Sequence, residues 1–189
     1  DVYKRQVYNA SEQSVTGYTT DVGDKAIDVI LKTGKSATAS GTDAGKHMMN
    51  LKSDDFDVKS DIYTNIKVIV VDGYLEITPI TDEVTVTITG NHDSKVYNAS
   101  EQSVTGYTTD VNGKTISVAL KEGSKAEAKG TDVDKYDMGL NAENFTVSSK
   151  NYSNIKVEVV DGYLEIIPFT DEVVVTITGN TKTVMYNGS

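Results

Sequence analysis

Val68-Ile69-Val70-Val71-Asp72-Gly73-Tyr74-Leu75-Glu76-Ile77 consists of two runs of β-branched and aromatic residues around Asp-Gly, and it returns almost unchanged as Val157 to Ile166. Such a stretch predicts a two-residue hairpin, because a type I′ turn needs positive φ at both central positions and Asp-Gly tolerates it. The hairpin would pair Val71 with Tyr74, Val70 with Leu75, Ile69 with Glu76 and Val68 with Ile77. One face would carry Val68, Val70, Leu75 and Ile77 towards a core. The other would carry Ile69, Val71, Tyr74 and Glu76. In the second copy Glu158 stands where the first has Ile69, and the hairpin sets it opposite Glu165. Two carboxylates side by side demand water, so that face is expected to be exposed.

Outward from this stretch, the whole chain repeats. Val7 to Val22 is identical to Val96 to Val111, an offset of 89 (96 minus 7), and about two thirds of the positions that follow this offset to Asn91 and Asn180 are identical. Tyr186-Asn187-Gly188-Ser189 opens a third copy, matching Tyr97-Asn98-Ala99-Ser100. A period this long exceeds that of solenoid repeats and implies small domains in a row. Asp1 to Gln6 does not match Gly90 to Lys95 and reads as a frayed or unrelated end.

Within a repeat the alternation is that of strands. Ser14 to Val22 leads through Gly23-Asp24 into Lys25 to Lys32, which would set Tyr18 and Thr20 opposite Val29 and Ile27. Small residues line Ala37 to Gly41, and short alternating runs follow at His47 to Leu51, at Phe56 to Val58 and at Val84 to Ile88. No stretch holds a helical period. The fold class predicted is all-β, with tandem small β-sandwich (Ig-like) domains of about seven strands each.

The two prolines, Pro79 and Pro168, cannot donate to a ladder and mark strand ends. Placing boundaries there gives 1–79 as a first repeat lacking its leading strand, 82–168 as a complete second repeat and 171–189 as the start of a third. The alternative closes each unit after Asn91 and Asn180. The partners of Val84 to Ile88 distinguish the two.

Net charge of -10 argues against nucleic acid as a partner. With no Cys in the chain, disulfides, thiolate metal sites and thiol catalysis are excluded together. No apolar run is long enough to insert in a membrane.

Val84 to Asn91, Tyr97 to Val104, Gly41 to Gly45 and Asp72 to Pro79 together resemble the tandem extracellular repeats of large cell-wall-anchored proteins of gut Firmicutes, close to the MBG and bacterial Ig-like types. The resemblance implies an extracellular, cell-surface, Gram-positive setting and a stalk or adhesin role. It supplies no catalytic residue. Asp132 to Met138 is similar to the Asp-x-x-x-Tyr-x-Cys corner of immunoglobulin domains, with Met in place of Cys. His47 replaces that Tyr in the first copy, which implies a missing corner hydrogen bond there.

Site residues are few. His47 and His92 have no partner His, so packing or surface roles are expected. Asp54, Asp55 and Asp57 could face a calcium ion, but the second copy has Glu143, Asn144 and Thr146. Asp82-Glu83, Asp171-Glu172, Asp21, Asp110, Asp72 and Asp161 are kept between copies and could serve junction calcium. Lys67 and Lys156 alternate away from the core face, which disfavours an isopeptide crosslink. Tyr74 and Tyr163, on the outer face of the expected hairpin, are the candidate ligand contacts for a host glycan or protein. The expectation is a non-enzymatic chain with no cofactor and no metal. It would be a spacer touching neighbouring repeats or, alternatively, an adhesive module.

Overall fold

The computed structural model describes residues 6–188, so most of the divergent segment Asp1 to Gln6 lies outside the described residues. The chain is all-β, with two short 3-10 turns at Ser53–Asp55 and Ala142–Asn144.

The second repeat is the fuller of the two. β8 (Val84–Gly90) runs between β16 (Ile155–Val160), which is parallel to it, and β11 (Tyr107–Thr109), which is antiparallel. All its ladder partners therefore lie after Val96. β9 (His92–Val96) continues from β8 and lies parallel to β17 (Tyr163–Ile167), which also pairs antiparallel with β14 (Lys135–Asp137). Two antiparallel pairs complete the repeat: β10 (Gln102–Thr105) with β13 (Glu127–Gly130), and β12 (Ser117–Leu120) with β15 (Phe145–Ser148). The result is sandwich-like, with ten short strands rather than about seven.

Its apolar side chains gather in two clusters. Val86, Ile88, Ile116, Ala126, Leu140 and Phe145 form one, and Ala128, Leu164 and Ile166 the other. Val86 and Ile88 of β8 are fully buried. Alternation along β8 sends every second residue into the core, as a strand with one packed face requires.

In the first repeat β1 (Gln6–Val7), β7 (Tyr74–Thr78) and β5 (Gly45–Met48) form one sheet, β2 (Gln13–Thr16) pairs with β4 (Thr38–Gly41), and β3 (Asp28–Leu31) pairs with β6 (Phe56–Lys59). These correspond, at the 89-residue offset, to the second repeat's strands apart from one group. The positions matching β11 and β16, residues 18–20 and 66–71, are not strands, and those matching Val84 to Thr89 of β8 fall before Asp1.

The hairpin expected at Asp-Gly does not form. β16 and β17 do not pair with each other; each follows its own parallel partner, β8 or β9. At Gly90-Asn91 and Asp161-Gly162 both chains turn the corner together, leaving one sheet and entering the other. Neither Asp72-Gly73 nor Asp161-Gly162 adopts the positive φ that a type I′ turn requires. Glu158 accordingly lies beside Thr87, while Glu165 lies beside Lys135 rather than facing Glu158.

The pairing expected across Gly23-Asp24 is also overturned. The turn itself is present, with Lys25 N donating to Val22 O at 3.0 Å. Its flanks go elsewhere, β3 to β6 and β2 to β4. Tyr18 reaches β3 only through its hydroxyl, which donates to Val29 O at 3.2 Å.

Candidate functional site

Tyr74 and Tyr163 sit at corresponding positions of β7 and β17, half-buried rather than projecting freely. Lys46 Nζ lies 3.6 Å from the Tyr74 ring centroid, and Lys135 Nζ lies 4.1 Å from that of Tyr163. Both lysines come from the antiparallel neighbour strand, two positions from the tyrosine's register partner and so on the same face of the sheet. His92 stacks on Tyr163 as well, with centroids 5.3 Å apart and planes at 20°. A ring held by a cation and by an imidazole offers little face to a sugar, and cation–π contacts of this kind stabilise the sheet surface.

Three of the kept acids, Asp72, Asp110 and Asp161, are committed to backbone. Asp72 accepts from Asn50 N and Leu51 N, both at 2.9 Å, and Asp161 accepts from Gly139 N at 2.9 Å and Leu140 N at 2.8 Å. Asp110 accepts from Thr87 N at 2.8 Å and so fastens β11 to β8. Asp55 is buried, receives Lys52 N at 2.8 Å and pairs with Lys35 Nζ at 2.7 Å. The hydrogen bond from Lys35, then that from Lys52 N, holds its carboxyl below the ordinary carboxylate range. In the second repeat the same two positions are Ser124 and Asn144, an uncharged pair with Asn144 Nδ2 3.5 Å from Ser124 Oγ. Among the described residues no three His, Asp or Glu side chains gather as a metal site would need.

His47 takes over the corner bond expected to be lost. Its Nε2 donates to Asp43 O at 2.9 Å, as Tyr136 hydroxyl donates to Asp132 O at 3.1 Å. Gly41 and Gly130 lie under these rings, where any Cβ would collide with His47 and Tyr136. Lys156 Nζ pairs with Glu158 Oε1 at 2.8 Å on an exposed face, and this contact, with a smaller contribution from Glu83, raises its pKa.

The most developed polar site joins the two repeats. Asn151 is 1% exposed. Its Oδ1 accepts from Ala44 N at 2.6 Å, while its Nδ2 donates to Asp43 Oδ1 at 2.9 Å and to Thr115 Oγ1 at 2.8 Å. Next to it, Ile80 N donates to Asn151 O at 2.8 Å and Ser153 N donates to Ile80 O at 2.9 Å, a parallel bridge between Ile80 and Tyr152. Tyr8 meets Tyr152 edge-on at 6.0 Å. Asn151 aligns with Ile62, so the one signal available was a polar residue replacing an apolar one beside a kept tyrosine.

Residues 18–20 and 66–71 of the first repeat and residues 173–179 are not in strands. An open pocket of about 570 Å³ lies between Lys114 to Ser117 and Ser148 to Lys150. No protein-family model, curated protein or solved structure matches this chain.

Proposed function

We propose that this chain is a non-enzymatic structural spacer, a stretch of tandem Ig-like repeats from the stalk of a bacterial cell-surface protein. The observation that supports it most is the junction. Residues 79–83 are not a loose tether, because Ile80 is bridged to Tyr152 and Asn151 is buried against Asp43 and Ala44 of the preceding repeat. A contact fully satisfied in hydrogen bonds resists hinge motion, and stiffness is what a spacer needs. The hydroxyl bond of Tyr136 to Asp132 supports the Ig-like part of the reading. Cell-wall attachment and the extracellular setting follow from the sequence resemblance alone.

The adhesive alternative draws less support, since Lys46, Lys135 and His92 already occupy faces of the two candidate tyrosines. Small-angle scattering of the monomeric chain tests the spacer: one fixed, elongated arrangement of the two repeats is expected. A wide spread of inter-repeat angles, or saturable glycan binding lost with Tyr74→Ala and Tyr163→Ala, would overturn it.

A further inference from the structure

We propose that Asn112 modifies itself without an enzyme: the Gly113 nitrogen closes a ring on its side-chain amide, the ring opens to aspartate or isoaspartate, and the isoaspartate form loosens the junction between the repeats. The reaction needs a primary amide, an unhindered peptide nitrogen on the next residue, and water.

The turn from Val111 to Lys114 brings these together. Lys114 N donates to Val111 O at 2.9 Å and closes the turn, leaving Asn112 and Gly113 exposed at its tip. Among the described residues no hydrogen bond holds the Asn112 side chain or the Gly113 N–H. Gly113 has no side chain to shield its nitrogen, and even a Cβ built there would meet nothing within 4 Å. Other asparagines of the repeats lack this combination. Those at Asn91, Asn141 and Asn151 have their amides in hydrogen bonds, and Asn65 and Asn154 precede the β-branched Ile66 and Ile155. The first repeat has Gly23-Asp24 at the same place and no amide to lose.

The atoms balance with water alone. Gly113 N gives up its proton and bonds to Asn112 Cγ; the Cγ–Nδ2 bond breaks, and that nitrogen leaves as ammonia carrying the proton. The resulting five-membered imide has two carbonyls on one nitrogen. Water opening it at Cγ gives aspartate. Water opening it at the main-chain carbonyl gives isoaspartate, with the chain now running through Cβ and Cγ. Mass falls by about 17 Da at closure and ends about 1 Da above the start, with one negative charge added.

Isoaspartate adds one main-chain carbon, about 1.5 Å of path, to a four-residue turn. Neither flank has slack. Upstream, Asp110 N donates to Thr87 O at 3.2 Å and Asp110 Oδ1 accepts from Thr87 N at 2.8 Å. Downstream, Thr115 O accepts from Ser149 Oγ at 2.7 Å, and Thr115 Oγ1 accepts from Asn151 Nδ2 at 2.8 Å. Thr115 Oγ1 also donates to the Tyr8 hydroxyl of the first repeat at 3.4 Å. A shift of about 1 Å at Thr115 takes these contacts beyond ~3.5 Å, where they cease to be hydrogen bonds. Asn151 then loses one of the three partners that hold it in the junction. Both steps follow from local chemistry and do not require the chain to be a spacer.

Incubation of the full chain at mildly alkaline pH, followed by peptide mass mapping, tests the first step. The peptide holding Asn112 should gain about 1 Da, and faster as pH rises, because the attacking nitrogen must lose its proton. Asn187-Gly188, the same dipeptide outside every strand, is the reference. Asn112→Gln, whose longer amide needs a six-membered ring, and Asn112→Gly, which copies Gly23, should abolish the gain. For the second step, chains carrying isoaspartate are separated by chromatography and compared with Asn112→Asp, which has the charge without the added carbon. Amide exchange at Ala44, whose N–H Asn151 holds, should be roughly three- to tenfold faster in the isoaspartate chains, as the loss of one hydrogen bond implies. An Asn112 peptide of unchanged mass would overturn the self-modification, the more plainly if Asn187 has gained. Equal Ala44 exchange in the two forms would overturn the effect on the junction.

Discussion

Gly90 and Gly162 touch backbone to backbone at the point where β8 and β16 leave one sheet together. A Cβ on Gly162 would collide with Gly162's neighbours Asn91 O and Gly90 C, neither of which can swing aside. A Cβ on Gly73, the counterpart in the first repeat, would meet Met49 Sδ first, at 2.7 Å, part of a flexible side chain. Gly162→Ala should therefore cost about 1–3 kcal/mol or more, and Gly73→Ala clearly less. Thermal melts of the two variants check this; equal losses would mean that the backbone contact at Gly90 is not what demands glycine.

The aspartate beside that glycine closes the same corner from the other side. Asp161 accepts two backbone N–H groups from the segment after β14, and Asp72 accepts the equivalent two in the first repeat. Hydrogen bonds to a charged acceptor are worth about 1.5–3 kcal/mol each, so Asp161→Ala should be severely destabilising. Asp161→Asn, which keeps one acceptor oxygen, should fall between. Denaturant midpoints for the wild type and both variants give the order, and no loss in either variant would remove the corner role.

Strand positions were legible in the sequence because alternation reports one-sided burial wherever it is regular, as at Val84, Val86 and Ile88. Partners were not. Asp72-Gly73 carries a strong local hairpin signal, yet the same dipeptide also suits a crossover corner, where Asp accepts N–H groups and Gly permits close approach. Nothing within ten residues separates the two. In the second repeat the choice depends on β8 and β9 offering parallel partners to both flanks of Asp161-Gly162, and that is tertiary information. The tyrosines were found as residues but misplaced in setting, since Lys46 and Lys135 reach them from a strand whose register the sequence leaves open. Asn151 escaped because its role depends on Asp43 and Ala44, more than a hundred positions away.

Acid should act unequally on the two repeats. Asp55 has its pKa lowered by Lys35 and Lys52 N, so its contribution is complete above the ordinary carboxylate value of 3.8 and lost as pH falls through its lower folded value. Lys35, raised above 10.5 by the same pair, contributes below that value and loses its contribution as pH rises through the raised one. The second repeat has Asn144 and Ser124 at these positions and no such titration. Replacing the pair by Asp55→Asn with Lys35→Ser should flatten the stability of the first repeat as pH falls below 3.8. Tyrosine-independent probes of each repeat, such as amide exchange, would show whether the slope disappears there alone.

Asn151 binds the repeats to each other more than it binds either to itself. Truncating it leaves Ala44 N–H without its acceptor and opens the space between Asp43 and Thr115, while the hydrogen bond from Ile80 N to residue 151 O is a backbone one and survives. A buried donor stripped of its partner costs about 1–3 kcal/mol, and here that cost falls on the interface. Asn151→Ala should therefore uncouple the repeats before it unfolds either, turning a shared thermal transition into two and exposing Thr81 to Glu83 to protease. Asn151→Ile, which copies the Ile62 of the first repeat, should uncouple them just as well, because Ala44 N–H gains nothing from an isoleucine. Differential calorimetry with timed proteolysis reads both effects. If the variants keep one transition and an uncut link, the bridge between Ile80 and Tyr152 is sufficient on its own, and the rigidity of the junction must be assigned to the backbone rather than to the asparagine.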